Sequence, residues 1–166
     1  RATFNADNPE EVLAFNREAA DLRRAVQGAI RVAREAESRV RHLRQAILDT
    51  PAADESHLER LDEIRLGLAD VMVELLGDPT LSDRARPQLP SISARIGTVV
   101  EGMLDVTSPP TETFREQYEI ARERYTDVQG DLRRLIGREL TRLEEELEAL
   151  GAPWTPGRLP NYQGRP

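Results

Sequence analysis

His42 and His57 are the only histidines, and imidazole is the side chain best suited to metal or proton chemistry near neutral pH. A metal site in a helical bundle needs carboxylates three or four residues away on the same face. His57 has Asp54, Arg60 and Leu61 at those offsets; His42 has Ser38, Arg39, Gln45 and Ala46. No Glu-x-x-His pair occurs, so both histidines read as ordinary surface residues. The cluster Glu144, Glu145, Glu146 and Glu148 suggests cation binding. A helix would spread these carboxylates around a cylinder, however, and the glycine turn of a calcium loop is missing, so a solvated face is expected. Arg23-Arg24 and Arg133-Arg134, with Arg39, Arg41 and Arg44, have the chemistry of phosphate or acidic-lipid contacts. They alternate with Asp and Glu, which predicts salt-bridged surface instead. No Gly-rich phosphate loop, Gly-x-Ser-x-Gly elbow or Cys-His pair is present. The chain therefore reads as non-enzymatic, with no catalytic residue, metal or cofactor assigned.

Composition points the same way. The 166 residues suit one core, charged residues make up 32% and aromatics only 4%, a balance typical of long amphipathic helices. All 23 basic residues are arginine, so every cation is a planar fork able to grip one of the 30 carboxylates with two bonds. A net charge of -7 argues against nucleic acid as the main partner. Cysteine is absent, which excludes disulfides and thiolate metal sites. No apolar run reaches the length of a transmembrane helix. The first residue is Arg1, read as the start of a processed product or a fragment.

These side chains must be positioned by helices. Asn8-Pro9-Glu10-Glu11 combines a cap, a proline at the first helical position and carboxylates facing the helix dipole. From there Val12, Ala19, Val26, Ala33, Val40 and Ile47 recur every seven residues, with Phe15, Leu22, Ala29, Ala36 and Leu43 in the second seam position. This predicts a helix over 9–49, roughly 60 Å long, stopped by Thr50-Pro51. A second helix over 54–76 carries Leu58, Leu61, Ile64, Leu68, Val71, Met72, Leu75 and Leu76. Residues 79–90 hold three prolines and read as loop. Ser91 caps a third helix to 106, with Ile92, Ile96, Val99, Val100, Met103 and Leu104 inward. The fourth, over 112–150, has Phe114, Tyr118 and Tyr125 as core aromatics, and its spacing slips near Ile136 to Leu140, predicting a local change of supercoil.

The expected fold is all-α: an antiparallel bundle of two long and two short helices over 1–150, then an extended Pro-rich docking tail over 151–166. An up-down-up-down order would leave the start of the first helix and the finish of the fourth projecting as a two-helix stalk, with the N-terminus and tail side by side at its tip.

That tail, Gly151-Ala152-Pro153-Trp154-Thr155-Pro156-Gly157-Arg158-Leu159-Pro160, cannot continue a helix. Its backbone is stiff before it docks, and tryptophan, tyrosine and arginine are the side chains that most often carry interface energy. Trp154, Arg158, Leu159 and Tyr162, with Phe4 ahead of the first helix, are the candidate partner-binding residues. Two placements of Trp154 are open: against the end of its own bundle, or on another chain.

Gly77-Asp78-Pro79-Thr80, Pro90-Ser91-Ile92 with Arg95, Thr107-Ser108-Pro109-Pro110-Thr111, Arg115-Glu116-Gln117-Tyr118 and the tail occur in that order. The set resembles the C-terminal helical region of bacterial secreted proteins of the sortilin-like (VPS10) or BNR-repeat β-propeller type, often described as glycosyl-hydrolase-like. The resemblance covers most of the chain and is most specific in the last ten residues quoted. It implies export to the periplasm and a helical module attached to something larger. No Asp-box repeat or propeller strand pattern is present, so no catalytic residue carries over.

Two functions follow as expectations. One is a helical scaffold or accessory subunit that docks onto other protein subunits of a larger extracytoplasmic assembly; an extrinsic subunit of a membrane complex such as a photosynthetic reaction centre is one conceivable setting. The other is the helical module of a propeller protein whose glycosidase-like or ligand-binding activity lies outside this chain.

Overall fold

A computed structural model describes residues 9–81, 89–104, 109–162 and 164. Every element among them is helical: α1 (Pro9–Leu48), α2 (Glu55–Leu76), α3 (Ile92–Met103), α4 (Glu112–Arg134), a π-helical segment (Leu135–Leu140) and α5 (Thr141–Ala149). The chain forms two compact units. One contains residues up to Arg31 with Val71–Gly130, the other Val32–Asp70 with Asp131–Pro166.

Seam residues form both cores. In the first unit Phe15, Ala19, Leu22, Val26 and Ala29 of α1 are buried, as are Ile92, Ile96, Val99, Ala121 and Val128. In the second unit Ala33, Ala36, Val40, Leu43 and Ile47 are buried with Leu61, Ile64, Leu68, Leu135, Leu140, Leu143 and Leu147. The expected inward face stops short at helix ends, where Leu76, Leu104 and Leu150 stay exposed. The aromatics of α4 are half-buried rather than central. Tyr118 packs edge-on to Phe15 at 5.4 Å between ring centroids, and the Tyr125 hydroxyl donates to the Ala25 carbonyl at 3.2 Å.

Helix ends follow local chemistry. The Ser91 side chain accepts from the Ala94 amide, and Asp54 accepts from both the amide and hydroxyl of Ser56 before α2. The Thr50 hydroxyl donates to the Ala46 carbonyl at 2.6 Å where α1 stops. After α5, Gly151 takes φ +85°. Its amide bonds to Glu148 and that of Ala152 to Leu147, the double closure of a Schellman motif.

The slip in spacing at 136–140 is the π-helical segment. One added residue keeps Leu135 and Leu140 both buried, so the stripe of α4 continues into Leu143 and Leu147. Here α2 approaches closely: a Cβ on Gly67 would sit 2.7 Å from Leu135 Cδ2.

The up-down-up-down order is not what forms. In the first unit Glu11 pairs with Arg115, Phe15 with Tyr118 and Ala25 with Tyr125, so α4 runs parallel to α1. Pro90 bonds to Arg124, Arg95 to Gln117, and Gly102 abuts Phe114, so α3 is antiparallel to both. Both helices have the opposite sense to the expected one. The physical reason lies in α2 and its exit. Glu74 and the Pro90 carbonyl are held by the same Arg124 guanidinium, so the chain re-enters beside the point where it left. The tail belongs to the second unit and the start of α1 to the first.

Candidate functional site

The parallel course of α1 and α5 in the second unit creates the most elaborate polar cluster among the described residues. Glu144 lies between Leu140 and Leu147 on the inward stripe of α5 and is only 1% exposed. A buried carboxylate demands a counter-charge, and Arg39 supplies it from α1. Its Nε donates to Oε1 at 3.0 Å and its Nη2 to Oε2 at 2.6 Å. Such two-bond forks are the strongest form of this pairing.

A second arginine closes the cluster from the tail. Arg158 donates through Nε to Glu148 Oε1 at 2.6 Å and through Nη2 to Oε2 at 2.9 Å. Its Nη1 lies 3.8 Å from Glu144 Oε2. Hydrogen bonding to Glu148 raises the Arg158 pKa above its already high ordinary value, so the cation is permanent. Between Glu144 and Glu148 in sequence, Glu146 is held by Arg60 and Arg142, and the Arg60 hydrogen bond lowers its pKa.

The expected solvated acidic face is therefore corrected in part. Glu145 is exposed, whereas Glu144, Glu146 and Glu148 each meet an arginine from outside α5. Arg39 is likewise not simple surface. Arg24 and Arg134 do behave as expected, pairing with Asp21 and with Asp131 and Glu139. The signal missed in the sequence was phase: Glu144 falls four residues after Leu140 and three before Leu147.

The tail residues separate into two groups. Trp154 is 42% exposed and, with Pro153, Thr155 and Pro156, faces His42, Gln45 and Ala46 of α1 and Asp49 just beyond it across a cleft of about 160 Å³. With Arg158 clasped to α5, the tail as far as Arg158 lies on its own unit. Leu159 and Tyr162 are 90% and 91% exposed. Phe4 lies outside the described residues. Neither histidine joins the cluster's charge pairing. His42 Nδ1 is 2.8 Å from the Ser38 carbonyl, and His57 Nδ1 is 2.8 Å from Asp54 Oδ1 at the start of α2.

Among the described residues no three His, Cys, Asp or Glu side chains group as a metal-holding set, and no helix is long and apolar enough to cross a membrane. The cluster's chemistry is cohesion: four charges that fix α1, α5 and the tail together. Comparison with protein-family models, curated proteins and solved structures found no match to the chain.

Proposed function

We propose that this chain is a non-enzymatic helical accessory module that docks onto other subunits of a larger extracytoplasmic assembly through the outer part of its tail. The observation supporting this reading is the abrupt change at Arg158. Up to that residue the tail is clasped to its own unit, and directly beyond it Leu159 and Tyr162 present large apolar surface to solvent. Exposed apolar side chains on a proline-stiffened backbone lose little entropy on docking. Export rests on the sequence resemblance to secreted propeller proteins. The same resemblance sustains the second reading, a helical module whose propeller carries the activity.

The test is co-purification from the native host with tagged wild-type chain and a Leu159→Ser, Tyr162→Ala double variant. The account expects the double variant to lose its partners while keeping the wild-type circular dichroism melt. Retention of the same partners would contradict it.

A further inference from the structure

The tail's attachment differs in kind from the packing of the helices. Beyond Ala152 its backbone makes one backbone hydrogen bond among the described residues, Arg158 N–H to the Thr155 carbonyl at 3.1 Å. Among the described residues no backbone group from Pro153 to Tyr162 bonds to another element. Holding is left to side chains: buried Thr155, half-exposed Trp154 and the Arg158 clasp on Glu148 and Glu144. Left-handed glycines, Gly151 and Gly157, mark both ends of this stretch.

We infer that residues 153–158 form a releasable strap, latched by Arg158 and pivoting just beyond Ala152, that lies over Ala46 of α1. The two-arginine arrangement around Glu144 makes release feasible. When Arg158 leaves, Glu144 keeps both hydrogen bonds from Arg39, so no buried charge loses its counter-charge. Glu148 sits at the surface edge of α5 and rehydrates. The Schellman closure at Gly151 and Ala152 is local to α5 and survives, which confines the motion to the segment beyond it. Segments with few apolar contacts and few backbone bonds occupy the low end of the local-stability range. The device acts on the inner part of the tail and holds whichever partner Leu159 and Tyr162 meet.

Trp154, the single tryptophan, reports on the strap directly. Acrylamide quenching of its fluorescence in the full chain, with a parallel helix melt, tests the inference. Arg158→Gln is expected to raise the quenching constant about twofold while moving the melting midpoint by no more than about 2 °C, the shift of a purely local loss. Raising salt from low to molar concentration, where screening falls to about 3 Å, should push wild-type quenching the same way well below the melt. Unchanged quenching in the variant would overturn the latch. A fall in its melting midpoint beyond about 5 °C would overturn the strap, because the tail would then be part of the core.

Discussion

Arg39 of α1 and Glu144 of α5 are separated by 105 residues in sequence and joined by two hydrogen bonds on a carboxylate closed to solvent. This pair fixes the parallel register of the two helices in the second unit. Removing one partner strands the other. Arg39→Ala should cost about 3 kcal/mol in urea unfolding, the low end of the range for broken buried pairs, because Arg158 remains nearby. Replacing both together, Arg39→Met with Glu144→Leu, should recover most of that loss. A double variant as unstable as the single would show that the pair does not act as a unit.

Arg95 offers the converse case in the first unit. It is buried, its Nη1 donates to Gln117 Oε1 at 2.5 Å, and its Nε has no partner among the described residues. A buried cation with one neutral acceptor is poorly compensated. Arg95→Met is therefore expected to leave stability unchanged or raise it by about 1 kcal/mol, read from the same unfolding curves. A loss above about 2 kcal/mol would mean that the guanidinium is better satisfied than its hydrogen bonding indicates.

How much of this was legible beforehand depended on the kind of signal. Heptad residues such as Val12, Val26, Val40 and Ile47 announce α1 because burial is periodic on a helix, and the slip at Ile136 to Leu140 announces the π-helical segment for the same reason. Glu144 was legible in position but not in consequence. Its place on the apolar stripe could be counted, while its partner was 105 residues distant and depended on helix direction. Direction itself was misread, since a long proline-bearing connection does not determine whether the next helix reverses. Arg124, which gathers Glu74 and Pro90, carries no such label in sequence.

Glycine positions separate tight from open packing. A Cβ at Gly102 would overlap the Phe114 ring, so Gly102→Ala should destabilise by about 1–3 kcal/mol in thermal melts. Gly28 lies in the interior of α1 with open space around its missing side chain. Gly28→Ala should stabilise by about 0.5–1 kcal/mol. Equal effects at the two positions would refute the close approach of α3 to α4.

Acid should weaken the second unit in part through Glu146. Its pKa is lowered chiefly by the Arg60 hydrogen bond, so the folded state holds its proton less tightly than the unfolded chain does. The stabilisation is complete above the ordinary value of 4.5 and is lost as the pH falls from there through the lowered one. Stability measured from pH 6 down to pH 3 should decline less steeply in Arg60→Gln than in wild type. Identical slopes would remove Glu146 from the account.

The most direct measurement of the central claim is native mass spectrometry of the endogenous protein, gently extracted, beside the Leu159→Ser, Tyr162→Ala double variant expressed in its place. The account predicts other subunits bound to the wild-type chain and absent from the variant. Wild type and variant carrying the same partners would contradict docking by this tail.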